Sequence, residues 1–338
     1  MLRARDTPPA APGGFLYLDT AARLRTAAWA QCWGRLLAPR YWPTWIGLGL
    51  LRLLALLPFA LMLPAGAMLG ALLRRLPLGW AHTARRNMEL CLPELAAVER
   101  ERLLNRHFAS LGMALLEVPL AWWTPQSRLD RIISVQGAEH LRAALGRGRG
   151  AILLTAHFTP MEMAGRMLAS VTPVNVLYRP TKNEALAYAL RRCRCNLGVS
   201  PIPRDDIRAL ITALKNNEAV WYAPDQSYRK KGAEMVPLFG IPAATNTFTS
   251  RIARMTGAAV LPYFVERLPG TRGYRAVIHP ALENFPSDSP CADAERFHRL
   301  IEARVRAVPE QYLWIHRRFK GLSSDYPDYY ARQLPHHA

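Results

Sequence analysis

No G-x-S-x-G turn occurs in the sequence, so it lacks the strained elbow on which a serine lipase or esterase mounts its nucleophile. Its five cysteines form no C-x-x-C pair. Cys193 and Cys195 lie one residue apart in an arginine-rich stretch with no second Cys/His pair at zinc spacing, and the nine histidines do not cluster. A zinc framework is thereby excluded, and a metalloenzyme is left without an obvious ligand set. An odd, scattered set of thiols also suits a reducing compartment, on the cytoplasmic side of whatever membrane is involved. Acidic residues are scarce: 25 Asp and Glu stand against 44 Lys and Arg, a formal net charge of +19 at pH 7. Such a surface attracts polyanions, whether nucleic acid, anionic lipid headgroups or an acidic carrier protein. An aromatic–basic RNA-recognition motif is missing as well, which disfavours nucleic acid as the partner. The surplus is spread along the chain, and a general enrichment in arginine is an equally open explanation of it.

Internal repeats are absent, and the one biased tract is the start, MLRARDTPPAAPGG. It has no apolar core followed by a small-residue cleavage site, so it does not read as a cleaved signal peptide. Residues 1–45 are expected to form a basic, flexible segment. The run from Leu53 to Leu73, LLALLPFALMLPAGAMLGALL, has no charged residue and is about the length that spans a bilayer's hydrocarbon core. Pro58 and Pro64 would each kink a helix there. Arg40 and Arg52 precede the run and Arg74, Arg75, Arg85 and Arg86 follow it, a slight preference for a cytoplasmic C-terminal portion. Residues 46–76 are therefore expected to anchor the chain in a membrane, spanning it or lying in its interface; a buried amphipathic hairpin of a soluble domain is the alternative.

At 338 residues the chain accommodates one large α/β domain with an appendage. That domain is expected over 77–320, with a tail over 321–338. Helical patterning runs from Gly79 to about Trp123. Beyond it, strands are expected at 151–156, 174–178, 219–223, 258–264, 274–279 and 312–316, with helices beginning near Pro160, Asn183, Asp205, Asn246 and Ala292. This alternation predicts the α/β class, a mixed central sheet flanked by helices.

The sharpest local feature is Thr155-Ala156-His157-Phe158-Thr159-Pro160-Met161-Glu162. A buried strand ends there and a helix begins at Pro160 with Thr159 as its N-cap, which puts His157 in the turn between them. Strand-to-helix turns hold catalytic groups rigidly. A neutral imidazole near pH 7 can take a proton from a hydroxyl, and a carboxylate on its other nitrogen fixes the tautomer and stabilises the imidazolium. Glu162, folded back from the first helical turn, is the expected carboxylate. The competing reading is local: Thr159-x-x-Glu162 is also a capping box, with His157 an ordinary polar residue closing a strand.

His157-x4-Glu162 resembles the H-x4-D/E motif of glycerolipid-type acyltransferases. The blocks that follow it are similar to those of the lipid A biosynthesis branch, the late acyltransferases: LYRPTKN (177–183), YAPDQ (222–226), VPLFGIPA (236–243) and PEQYLWIHRRFK (309–320). The resemblance runs in order from about Gly79 to Lys320, and Glu at 162 is the variant this branch commonly uses. Where the glycerolipid branch carries an F-P-E-G-type block, this chain reads VPLFGIPA. The resemblance implies a glycerolipid acyltransferase-like fold that moves a fatty acyl group from acyl carrier protein to a hydroxyl of a lipid A precursor. It implies no metal or organic cofactor, and places the enzyme at the bacterial inner membrane with its catalytic domain on the cytoplasmic side. A relative using acyl-CoA, or another lipid acceptor, is the alternative within the superfamily.

A thioester is already activated, so such an enzyme needs a base, an oxyanion stabiliser and two aligned binding sites. Arg179, Lys182 and Arg317 are expected to meet acceptor phosphates, and the R-P-x-K-N run adds Asn183 beside a strand end. Asp225 and Gln226, past another strand end, either orient substrate or the Arg179 segment, or only begin a turn. Gly240 marks a close backbone approach to substrate or a tight turn. His316 is read as structural.

Overall fold

Prolines decide how the apolar stretch is laid out. In the computed structural model, which describes residues 33–331, Pro43 opens helix α1 (Trp42–Leu54) and Pro58 caps helix α2 (Phe59–Arg75). The expected single segment is therefore a helical hairpin with its corner before Pro58, and Pro64 is carried inside α2. Among the described residues no single helix is long and apolar enough to cross a membrane; α2 and the next helix, α3 (Trp80–Cys91), meet the length and composition only as a pair bent by 96°. Leu48, Met62 and Leu63 face inward, whereas Ile46, Leu50, Leu53, Leu61, Met68 and Leu72 are all more than half exposed. Residues 1–32 of the expected N-terminal segment and 332–338 of the expected tail lie outside the described residues.

The helical stretch expected over 79–123 is two helices, because Pro93 interrupts it: α3 and the long α4 (Ala97–Trp123). α2 lies directly on α4. A Cβ on Gly70 would sit 1.9 Å from the Phe108 carbonyl oxygen, and one on Gly112 would sit 2.0 Å from that of Gly66. Glycine at these positions lets the two backbones touch, which fastens the apolar hairpin to the rest of the fold.

The remaining elements alternate as β1 (Ile133–Gln136), α5 (Ala138–Leu145), β2 (Ala151–Leu154), α6 (Met161–Ala169), β3 (Val174–Tyr178), α7 (Glu184–Asn196), β4 (Val199–Pro203), α8 (Ile207–Lys215) and β5 (Ala219–Tyr222). There follow a hairpin of β6 (Ala233–Leu238) and β7 (Ile241–Asn246), then α9 (Phe248–Thr256), β8 (Ala259–Arg267), β9 (Tyr274–Ile278) and α10 (Pro290–Ala307). Seven strands form one sheet in the order β1-β9-β8-β2-β5-β3-β4, parallel at every pairing except β8 with β9. This is the mixed α/β sheet flanked by helices that the alternation predicts. β2 is buried along its whole length, as a central parallel strand covered on both faces must be. Ile152 and Leu154 face one core with Met88, Leu103 and Ile301, while Leu153 faces the other with Met163, Met167 and Leu261.

One expected strand is corrected. Residues 312–316 form no strand; Tyr312 makes a single antiparallel bridge to Phe158 and the chain then turns. Asn87 fixes its path, donating to the carbonyls of Trp314 at 2.6 Å and His316 at 2.8 Å, and Trp314 Nε1 donates to Pro309 at 2.6 Å. Strands β1, β4, β6 and β7 have no counterpart in the sequence expectations. β1 and β4 are the sheet's edges, and β4 carries two prolines, which only an edge tolerates.

Candidate active site

The site is built at the ends of two neighbouring strands. β2 and β5 run parallel with Leu154 opposite Tyr222. His157 and Asp225 each follow that paired position by three residues, so the register brings them level at the C-terminal edge, where open α/β sheets hold their ligands. The Asp225 carboxylate accepts the His157 backbone N–H at 2.9 Å with one oxygen and meets the ring Nδ1 at 2.6 Å with the other. Asp225 is buried, with 3% of its side chain exposed against 27% for His157. A carboxylate on Nδ1 makes that nitrogen the donor and leaves the lone pair on Nε2, which has no hydrogen-bond partner among the described residues.

The electrostatics agree with the geometry. Burial pulls the His157 pKa down, but the charge and hydrogen bond of Asp225 together outweigh it, so the net direction is up from 6.5. Burial pushes Asp225 up, and the His157 charge, the hydrogen bonds from its ring and backbone, and the Arg318 charge carry it net downward. The pair is poised as carboxylate and basic imidazole.

The turn carrying His157 is braced from two sides. The 311–313 segment pairs with it: Thr159 N–H donates to the Gln311 carbonyl at 2.7 Å, and Leu313 N–H donates to that of His157 at 3.0 Å. On the other side the Thr159 hydroxyl meets Ser110 of α4 at 2.6 Å, and Ser110 accepts from Arg267 at 2.8 Å. Arg267 is itself paired with Glu117 at 2.5 Å, and Glu117 also accepts from Tyr274 at 2.8 Å. Thr159 is thus occupied by α4; α6 begins one residue after Pro160, and its N-cap has no side-chain hydrogen bond.

Glu162 is not the carboxylate on His157. It accepts from Trp122 Nε1 at 2.7 Å and pairs with the Arg194 guanidinium, two partners from α4 and α7 that draw it away from the imidazole. The capping box with Thr159 is equally unformed, since no side chain caps α6. Trp122 and Arg194 were not among the expected site residues.

The other expected residues divide. Gln226 lines the same cavity as His157 and Asp225, together with Cys91, His316 and Arg318. His316 Nε2 accepts the Ser227 N–H at 3.1 Å, which fixes that imidazole as a neutral acceptor; burial lowers its pKa to about 4. Arg179 and Lys182 are exposed in the loop after β3. Asn183 is a helix cap: its Oδ1 accepts from Leu186 N–H at 3.0 Å, and its Nδ2 donates to Thr44 of α1 at 2.9 Å, so neither end is free for substrate. Gly240 is the second residue of the two-residue β6–β7 turn, with φ of 73° after Phe239 at 52°, and nothing lies within 4 Å of where its Cβ would be. It serves the turn, because consecutive positive φ values are the hairpin geometry that glycine favours. Arg317 is exposed with its guanidinium 5.7 Å from the Tyr330 ring centre, while its neighbour Arg318 is the arginine that faces the cavity. Among the described residues no group of three His, Cys, Asp or Glu side chains is arranged to hold a metal ion.

The sequence pattern of the family described as bacterial lipid A biosynthesis acyltransferase matches residues 31–321. The lipid A biosynthesis palmitoleoyltransferase of Escherichia coli (strain K12) is 39% identical over 285 residues, covering 84% of this chain and 93% of the relative. The lipid A biosynthesis lauroyltransferase of the same organism is 37% identical over 296 residues, 87% of this chain and 97% of that one. A lipid A biosynthesis acyltransferase of Haemophilus influenzae is 32% identical over 288 residues, 84% and 92% of the two chains.

Proposed function

The chain belongs to the bacterial lipid A biosynthesis acyltransferase family and is an acyltransferase, and from that premise we propose that it moves a fatty acyl group from acyl carrier protein to a hydroxyl of a lipid A precursor, with His157 as general base. The observation that carries the mechanism is the two-point hold of Asp225 on His157, which leaves Nε2 as the one basic nitrogen.

Nε2 takes the proton of the acceptor hydroxyl as its oxygen attacks the thioester carbon. The carbonyl oxygen becomes an oxyanion in the tetrahedral intermediate. Collapse of that intermediate restores the carbonyl, breaks the C–S bond and releases the carrier's thiolate, which recovers the proton from Nε2. The products are the ester and the free thiol, and the imidazole is returned neutral. Asp225 stays ionised throughout and stabilises the imidazolium between the two proton transfers. Glu162 instead holds Arg194 as a fixed cation between α6 and α7, in place of the direct role on His157 that the spacing suggested.

Basic residues support an anionic donor and acceptor. Since β2, β5, β3 and β4 are parallel neighbours, the loops after them open on one side, and those loops expose Arg179, Lys182, Arg204, Arg229, Lys230 and Lys231. The same rim suits the phosphates of a lipid A precursor and the acidic surface of a carrier protein. The exposed apolar face of the α1–α2 hairpin, flanked by Arg40, Arg74 and Arg75, supports a seat on the bacterial inner membrane with the site on the cytoplasmic side.

The test is an acyl-transfer assay with purified protein, labelled lipid A precursor, and acyl carrier protein or coenzyme A thioesters in parallel. Product with the carrier-protein donor that disappears in His157→Ala is the expected result. Product with coenzyme A alone would move the donor assignment, and undiminished activity in His157→Ala would remove the base.

A further inference from the structure

Arg318 is a buried cation with no anion in contact among the described residues. Its side chain is buried to 3% exposure, yet its hydrogen bonds go to neutral groups. Nη1 donates to the Ala244 carbonyl at 2.7 Å, Nη2 to the Thr245 hydroxyl at 2.7 Å, and Nη2 lies 3.3 Å from His298 Nε2. Its Nε is buried without a partner. Arg267, also buried, meets Glu117 directly at 2.5 Å. An uncompensated buried charge is strongly unfavourable, so a guanidinium kept in such a place needs an anion that acts across space.

The small cavity that Arg318 faces is lined by His157 and Asp225. The other titratable groups around Arg318 do not supply a charge at neutral pH. Burial pushes the Cys91 thiol of α3 and the Tyr312 and Tyr330 hydroxyls upward, which keeps them neutral. His298 of α10 is lowered by burial and by Arg318 itself to about 4, and donates through Nδ1 to the Pro237 carbonyl at 2.7 Å. His316 is neutral as well. Glu302 of α10 acts on the Cys91 side, where it accepts the Phe239 N–H at 2.6 Å. Asp225 remains as the ionised group across the cavity, and both of its oxygens are committed to His157.

We propose that Arg318 is a positioning residue for the acyl transfer, the counter-charge that keeps the Asp225 carboxylate negative and so keeps His157 held in its reactive tautomer. The proposal rests on the reading of His157 as general base. It also gives a reason for three separated sequence blocks to meet at one point: the YAPDQ block brings Asp225, the strand β7 that continues from VPLFGIPA brings Ala244 and Thr245, and the HRRFK block brings the cation that joins them.

The experiment compares Arg318→Met and Arg318→Lys with the unaltered enzyme in the carrier-protein acyl-transfer assay across pH. Asp225 and His157 titrate as a coupled pair, and removing the positive charge beside Asp225 makes that pair easier to protonate. The acid limb of the Arg318→Met profile is therefore expected to move up by about one pH unit, with about tenfold less rate below it, KM little changed, and Arg318→Lys restoring the limb. A limb that stays in place in Arg318→Met, or equal losses in both variants without a shift, would overturn the proposal and leave a packing role. The His157 titration followed by NMR on histidine-labelled protein in detergent reads the same shift without substrate, so a failure of the proposed acyl transfer is distinguished from a failure of Arg318. Should Arg318→Met alone not fold, the Asp225→Asn/Arg318→Met protein decides. Compensating charges predict that it melts higher than Asp225→Asn alone, and a lower melting point would overturn the proposal.

Discussion

Asp225 holds His157 by its backbone and its ring at once, at 2.9 and 2.6 Å. A single carboxylate thereby sets both where the turn sits and which ring nitrogen is basic. Asp225→Asn keeps the shape of the side chain and removes the charge. Its amide either donates to Nδ1, which moves the proton to Nε2, or accepts without stabilising the imidazolium. We expect kcat to fall by about 10³- to 10⁴-fold with KM little altered, by the arithmetic of other imidazole–carboxylate pairs. Single-turnover acyl transfer measures it, and a loss confined to KM would count against the orienting role.

The pH dependence follows with its sign. As the proposed general base His157 would act only when neutral, and Asp225 raises its pKa above 6.5. The rate is therefore at its plateau above that raised pKa and falls about tenfold per pH unit below it. In Asp225→Asn burial acts alone, and the limb moves to lower pH while the plateau drops. The profile of kcat/KM for the two proteins checks both movements, which are opposite in direction to the shift expected for Arg318→Met.

His157 was legible because its signal is local: an apolar run, a turn and a helix start within ten residues of one another. Its partner was not, because the spacing offered Glu162 nearby, whereas Asp225 lies 68 residues away. Only the adjacency of β2 and β5, which chain order does not reveal, brings it close. Arg318 was not legible for a related reason. It and Arg317 face opposite ways along an irregular segment held by Asn87, and an aromatic run read as a strand says nothing about which side meets the site. Arg194 lay hidden among Arg191 and Arg192 in a helix whose register against α6 only the packing fixes. The α/β sheet was legible from its buried central strands, and its edges, half-exposed in β1 and rich in proline in β4, were not.

Glu162 and its partners give a stability prediction separate from the chemistry. Trp122→Phe removes the indole N–H that meets a carboxylate at 2.7 Å and also one ring of a buried side chain. We expect a loss of at least about 1.5 kcal/mol in denaturant unfolding, the lower end for hydrogen bonds to charged groups, with the vacated ring volume adding to it. Glu162→Ala and Arg194→Met should each lower activity, and together no further than the worse of the two, since they break one pair. Additive losses would separate Arg194 from Glu162.

The crossing of α2 and α4 should discriminate sharply between glycines. Gly112→Ala places a Cβ 2.0 Å from a backbone oxygen that has no rotamer to escape into, and should cost about 1–3 kcal/mol or more. Gly49→Ala in α1 meets nothing within 4 Å and removes the entropic cost of a helical glycine, so it should be neutral or stabilising by up to about 1 kcal/mol. Thermal melts in one detergent compare them directly.

The hairpin face supplies the last prediction. Leu50, Leu53 and Met68 are exposed by 58%, 62% and 75%, from two helices whose inner sides are packed on α4. Changing all three to Glu leaves the buried contacts intact and puts three charges where an interfacial helix would meet acyl chains. Each charge opposes insertion by up to about 3 kcal/mol at full depth and less at the interface. We expect the variant to melt as the unaltered protein does, but to float poorly with anionic vesicles and to lose activity on bilayer-embedded acceptor more than on acceptor in detergent micelles. Equal flotation would mean that the face is not a membrane seat. A matched loss in both assays would point instead to damage at the site, since only the bilayer assay depends on how the enzyme reaches its lipid.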